Sequence, residues 1–241
     1  HTLYDFTAED GVRHTVWRAA AGPALASAFA AVPALYVADG HHRSASASRA
    51  RAVCRAADPA PTGEAEYDVF LAVLFPADQL WVLPYNRVVH DLAGRDEPAF
   101  LERLGEAVTV SADGPPTPPA RGRVSMYLGG RWYGLEMPPE ARSDPDPVAS
   151  LDAAILQERV LAPLLDIADP RISDRVDFVG GGRGTAELER RVDARPGAVA
   201  FSLHPLSVEQ LMAVADAGRV LPPKTTWFEP KLRSGLLIHE F

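Results

Sequence analysis

Short apolar and polar runs dominate the start of the chain, and helical periods take over further on. Residues 4–17 read as a hairpin about the turn Ala8-Glu9-Asp10-Gly11, and residues 23–31 as a short Ala-rich helix. The apolar run 34–38 predicts a strand. It ends in the polar stretch Asp39-Gly40-His41-His42-Arg43, after which residues 44–56 have helical character. Two neighbouring strands are expected over 68–75 and 79–83, and a helix over 97–107. Residues 113–122 are Pro-rich and read as a linker or long loop. A hairpin follows over 123–137, with Gly129-Gly130 at its turn.

The strongest helical pattern lies at 151–167, where Leu151, Ala154, Ile155, Glu158, Leu161, Leu164 and Leu165 keep a nearly helical period. Strand, helix and strand are expected at 177–179, 185–192 and 199–203. A helix over 207–217 has Ser207 as its N-cap and Gly218 past its end. Residues 234–241 read as a terminal strand. Strands and helices mix without strict alternation, which predicts an α+β fold with a mixed sheet and flanking helices. The 241 residues suit one domain, with two lobes, 1–112 and 123–241, expected on either side of the Pro-rich loop 113–122.

Charge removes some function classes. The net charge of −8 gives no basic footprint for a nucleic-acid backbone. The single Cys54 excludes an intrachain disulfide and a Cys-based zinc or iron–sulfur cluster. The longest apolar stretch, 69–75, is far short of a membrane span, and a cytoplasmic, membrane-free protein is expected. Only two of the 24 basic residues are lysines, Lys224 and Lys231, and both lie in one C-terminal segment. That placement points to a need for a compact, rotatable ammonium that Arg does not supply.

Two segments carry candidate chemistry. In the first, Gly40 lets backbone amides approach a ligand, and the helix beginning near Ser44 aims its positive end into the same space. Arg43 adds a planar fork for phosphate or carboxylate. His41 and His42 supply donors or a proton acceptor near neutrality. Asp39 is placed to hold Mg²⁺ through water, or to orient a His or Arg. The alternative for this segment is a polar helix cap. In the second, running from Pro222 to Gly235, Lys224, Lys231 and Arg233 supply cations and Thr225, Thr226 and Ser234 hydroxyls. Trp227 and Phe228 offer stacking surface, so the composition suits an anion bearing an aromatic ring, as a nucleotide does. The alternative is an arm packing its aromatics on the core. Residues 180–184 (GGGRG) fit a flexible loop better than a third anion-binding turn, and Tyr85-Asn86-Arg87 supplies polar contacts or a turn.

The stretches YDFTAEDGVRHTVW, YVADGHHRSASA, LPYNRVVHDL, LDAAILQERVLAPLL and LPPKTTWFEPKLRSGLLIHEF resemble, in order, the domain-of-unknown-function family 1015. Members are longer at the N-terminus, so the resemblance implies a C-terminal part of roughly three-fifths of such a protein, in keeping with a start at His1 rather than Met. Members are often labelled ParB-like. The Asp-Gly-His-His-Arg stretch resembles the phosphate-holding loop of sulfiredoxin and of ParB-type nucleotide-binding domains, a wider group that includes free-serine kinases. Sulfiredoxin, however, has Cys where this chain has His41, and a DNA-partition protein carries basic helices.

The family itself implies no settled activity; the two cationic, hydroxyl-rich motifs of this acidic chain, with the loop likeness to the wider group, point to a nucleotide-dependent kinase or phosphotransferase acting on a small molecule, such as a hydroxy-amino acid. In that reading Asp39, His41 and His42 are catalytic. Gly40, Arg43, Ser44, Lys224, Thr225, Lys231 and Arg233 bind the nucleotide (ATP, ADP or CTP), and Asp39 holds Mg²⁺. A nucleotide-binding regulatory module without catalysis is the alternative, and a DNA-associated ParB-like protein a third.

Overall fold

The computed structural model describes residues 1–20 and 22–240. The chain forms two compact units, His1–Val37 and Ala38–Phe241. In the first, β1 (Thr2–Thr7) and β2 (Arg13–Trp17) pair antiparallel, as the hairpin pattern predicts. Asp5 clamps the pair, accepting from Arg13 Nε at 2.8 Å, Arg13 Nη2 at 2.7 Å and Thr15 Oγ1 at 3.1 Å. Helix α1 (Pro23–Ala30) follows. The strand expected at 34–38 does not form. Its backbone finds no ladder among the described residues, and an extended run without a partner leaves its amides to solvent.

The second unit opens with α2 (His41–Ala57), which takes in His41, His42 and Arg43 as its first turn rather than starting at Ser44. The strand expected at 68–75 is also absent. Asp68 closes a short 3₁₀ turn and accepts from Arg51 Nε at 2.8 Å, while residues 69–75 run exposed and unpaired in any ladder. The next strand, β3 (Trp81–Val89), starts two residues later than expected and runs far longer. Helix α3 (Glu97–Ala107) is capped by Asp96, whose carboxylate accepts from the Ala99 amide at 2.9 Å, and it buries Phe100 and Leu104 one turn apart.

The central sheet is antiparallel in every pair. Beside β3 it comprises β4 (Thr109–Ala112), β5 (Arg123–Leu128), β6 (Arg131–Glu136), β7 (Val176–Gly180), β8 (Val199–Leu203) and β9 (Thr226–Glu229). The order is β4-β6-β5-β8-β3-β7, with β9 pairing the first half of β3. Strand β4 pairs β6, so residues 113–122 connect two strands of this one sheet. The tail strand expected at 234–241 is not seen over 234–240, and Phe241 lies outside the described residues. The C-terminal strand is β9, whose Trp and Phe have the shape and apolar surface a strand favours.

Alternation along the strands divides the core. Val89, Met126, Leu128, Val199, Phe201 and Leu203 face one side, against α3 and the helical run 152–165. Val88, Tyr127, Val179, Ala198 and Ala200 face the other, against Leu188 and Val192 of α7 (Ala186–Asp193). Strand β8 is buried at every position because both faces are covered. After β6 comes one short turn of helix, α4 (Pro139–Arg142), and after β8 comes α8 (Val208–Asp216). The latter starts on the full capping box of Ser207 and Gln210, with bonds of 3.2 and 3.1 Å.

The helix predicted at 151–167 is not uniform. It runs as α5 (Asp152–Leu156), a π-helical segment Gln157–Leu161, and α6 (Ala162–Leu165), and Asp166 then ends it in the left-handed region. The wider π turn shifts the phase, so Glu158 leaves the expected stripe for solvent while Asp152, Ala153, Leu156 and Val160 are buried.

Asp152 ties the Pro-rich connection to this helix. Both of its carboxylate oxygens accept from the Gly122 amide, at 2.9 and 3.0 Å. Burial pushes the Asp152 carboxyl above its ordinary 3.8; the Gly122 amide and the nearby Arg121, His204 and Arg142 only partly counter this. A raised folded value means that the native state gains most when this group is protonated, and loses that gain as pH rises through the folded value. Asp152→Asn removes the titration and keeps an acceptor. Its stability relative to the parent should therefore climb as pH is raised from about 4 towards neutrality. Urea unfolding across that range measures the trend, and a difference that falls with pH would contradict the assignment.

Candidate functional site

Asp39 and Gly40 set the start of α2. Gly40 adopts φ +87°, a left-handed conformation that a side chain disfavours, and it serves as N-cap without any side-chain cap. The Asp39 carboxylate accepts from the Gly40 amide at 2.8 Å instead. The first-turn amides of α2, from His41 to Arg43, are therefore left uncapped by side chains at the positive end of a 17-residue helix. The Arg43 guanidinium folds back to lie about 3.4 Å from where a Gly40 Cβ would stand. His41, His42 and Arg43 are exposed, and Ser44 is half-buried in the first turn.

The C-terminal arm reaches this helix start. Lys231 Nζ donates to Asp39 Oδ2 at 3.1 Å, across 192 residues of sequence. Both side chains are substantially exposed, 45% for Lys231 and 60% for Asp39, so the pair adds at most about 1 kcal/mol to stability. Burial pushes the Asp39 carboxyl up, but the Lys231 and Gly40 hydrogen bonds, with the Lys231 and Arg43 charges, outweigh it and hold the group below its usual range.

Aromatic contacts fix the arm's course. Lys231 Nζ lies 5.0 Å from the Trp227 ring centroid. Trp227 meets Tyr85 edge-on at 5.4 Å, and Lys224 Nζ lies 5.4 Å from the Tyr85 ring. Glu229 orders the turn from below: it accepts from Trp227 Nε1 at 2.6 Å and from the Lys231 amide at 3.0 Å. Thr225 donates its hydroxyl to the Pro222 carbonyl at 2.6 Å. Lys231 thus contacts the Asp39 stretch directly, and Lys224 connects to it through Tyr85 and Trp227. Thr225 is turned to its own backbone, and Arg233 lies exposed two residues past Lys231.

The glycine run beyond β7 has a packing role. A Cβ on Gly180 would stand 2.5 Å from Trp227 Cε3, and one on Gly181 would stand 2.7 Å from Pro84 Cδ. The run lets the arm and β3 approach, and residues 181–183 form a 3₁₀ turn instead of a free loop. Tyr85, Asn86 and Arg87 form no turn; they lie inside β3, where the Asn86 side chain accepts from the Leu203 amide at 3.0 Å. The sequence pattern offers Arg87 only as a polar contact or part of a turn, and it does not single out Gln157 or the buried Asp152. Arg87 stands between Asn86 and the apolar pair Val88-Val89, and nothing local marks such a position as buried and unpaired.

As to metal binding, among the described residues no group of three His, Cys, Asp or Glu side chains is placed to hold an ion. Asp39 is a lone carboxylate with both oxygens engaged. It fits Mg²⁺ only in the manner of a single protein ligand beside a phosphate-bearing substrate.

The fold and site thus describe an α+β protein with a cationic, aromatic-backed helix start. Residues 1–154, more than half of the chain, match the family described as Protein of unknown function (DUF1015), and the chain belongs to it. No curated protein matches the sequence. Among solved structures, SbnI with a C-terminal truncation, from Staphylococcus aureus, is similar at a TM-score of 0.39 and 16% identity, over 68% of this chain and 55% of that one. A free serine kinase variant in complex with ADP gives 0.36 and 17%, over 63% and 55%. A conserved hypothetical protein from Pyrococcus furiosus gives 0.38 and 16%, over 80% and 68%. The chain spans about half the length of the first two. No helix among the described residues is long and apolar enough to cross a membrane.

Gly180→Ala should push Trp227 off β7 and loosen the arm. The expected cost is about 1–3 kcal/mol of stability with a change in tryptophan emission, read by fluorescence-monitored unfolding. An unchanged emission spectrum would mean that Trp227 does not depend on this glycine.

Proposed function

We propose that the protein binds the phosphates of a nucleotide at the start of α2 and passes a phosphoryl group to a small hydroxylated metabolite. The observation that carries this reading is the 3.1 Å contact of Lys231 with Asp39, which joins the two cationic motifs of an acidic chain at one helix N-terminus. The amides from His41 to Arg43 offer donors that no side chain caps, and Arg43 adds a fork for a phosphate. Lys231 neutralises charge beside them, and Lys224 and Arg233 add to the field. Trp227 and Tyr85 provide ring surface for a base.

Phosphoryl transfer rests on positioning and charge stabilisation, which this set of groups supplies. Asp39 is the residue that would hold Mg²⁺, which would supply positive charge against the phosphates. His41 or His42 takes the proton of the attacking hydroxyl. Against catalysis, neither imidazole has a hydrogen-bonding orienter among the described residues, which favours a nucleotide-gated module without turnover as the second reading.

Calorimetric titration of Mg²⁺ with ATP, ADP or CTP should show saturable binding. Arg43→Ala and Lys231→Met should each weaken it by about tenfold or more, with melting temperatures close to the parent because both side chains are exposed. Binding without phosphorylated product from a panel of small hydroxy acids and hydroxy-amino acids would select the module. Absence of saturable binding, or affinities untouched in both variants, would reject the nucleotide site.

A further inference from the structure

Arg87 is the most deeply buried cation of the sheet, 4% exposed in the middle of β3. It shares a face with Val89 and so points to the side covered by α5. Its cross-strand neighbours are Phe178 on β7 and Phe201 on β8, and its guanidinium carbon lies 5.4 Å from the Phe178 centroid. Nη1 donates to the Tyr85 carbonyl. Among the described residues no carboxylate pairs with it, and burial alone pulls its pKa down to about 10. A guanidinium carries five donors, and burying one without a counter-charge is costly.

The space before Arg87 is a cavity of about 270 Å³, walled by Ala153, Gln157, Asp169, Arg171 and Pro222 among others. Asp169 does not supply the missing charge. It is held by Arg171 in a two-point pair, Nε to Oδ1 at 2.9 Å and Nη2 to Oδ2 at 2.6 Å. Gln157 presents the complementary defect. Its Nε2 donates to the Ile167 carbonyl at 2.6 Å, while its Oε1 is buried with no donor to meet it. Gln157 also opens the π-helical segment, the place where the helix departs from regular geometry beside the cavity. One cavity is therefore walled by a buried cation without a counter-charge and by the residue whose amide oxygen is buried and unpaired.

We propose that this cavity is a second ligand site, for a small anion that also carries a hydrogen-bond donor. Arg87 takes the anionic group in its fork, and Gln157 Oε1 accepts from the donor. Hydroxy-carboxylates and protonated phosphate share this chemistry; simple carboxylates and sulfate lack the donor. The site shares no wall with the start of α2 or with Lys231, so it stands apart from the nucleotide reading.

The test is calorimetry on the full chain with glycolate, acetate, inorganic phosphate and sulfate, without nucleotide. Glycolate should bind more tightly than acetate, or phosphate more tightly than sulfate, and whichever pair separates names the source of the anion. Arg87→Met keeps the length and apolar stem. It should unfold at or above the parent's temperature, because an unpaired buried charge is gone, while losing anion affinity by about tenfold or more. Should Arg87→Met not fold, Arg87→Lys, which keeps the charge and loses the fork, must show the same loss of affinity. Failure of all four anions to bind saturably, equal affinity with and without the donor, or binding unchanged in the variant would each overturn the proposal.

Discussion

The hydrogen-bond ladder of β3 is the constraint on which the second unit depends. Its later half, from Tyr85 to Val89, pairs β7, and its last three residues also pair β8, so those residues are central in the sheet and covered on both faces. Its first half, from Trp81 to Pro84, pairs β9. One strand therefore anchors the core at one end and the C-terminal arm at the other. Lys231 reaches Asp39 because β9 is registered against β3, with Trp227 opposite Leu83, and because Gly180 leaves room for the indole. Pro84 fits within this strand because a missing amide is tolerated where pairing changes hands.

The elements that were legible in the sequence are those whose signal is local. The 123–137 hairpin carries its own turn, and α8 carries its own caps, so neither needs distant residues to be recognised. The two apolar runs at 34–38 and 69–75 show the limit. Apolar content says that a segment is fit to be a strand, whereas forming one takes a partner, and the described residues provide none. Strands β4 and β9 were missed for the converse reason. Thr-Val-Ser-Ala is too short and polar to announce a strand, and β9 was read for its chemistry instead of its shape; both form because a neighbour offers a ladder.

At the site, the chemically loud residues were visible and the quiet ones were not. Asp39, Gly40, Arg43 and the two lysines stand out by type and grouping, and the contact of Lys231 with Asp39 joins the groups. Arg87, Gln157 and Asp152 belong to no such grouping, and their interest lies wholly in what surrounds them. Burial without a partner is a three-dimensional property. Any search of this family by motif will favour the exposed helix start over the cavity before Arg87.

The π segment between α5 and α6 has a consequence for how the helix can change over time. It amounts to one residue more than a regular helix needs, which turns everything after it by about 100° relative to an unbroken helix. Ala153, ahead of that offset, and Gln157, which opens it, line the cavity, while Ile155 and Leu156 ahead of it and Leu164 and Leu165 behind it fill the main core. The two halves are thereby released from a common phase. The rear stays answerable to packing alone, whereas the front has to satisfy the main core and the cavity lining together.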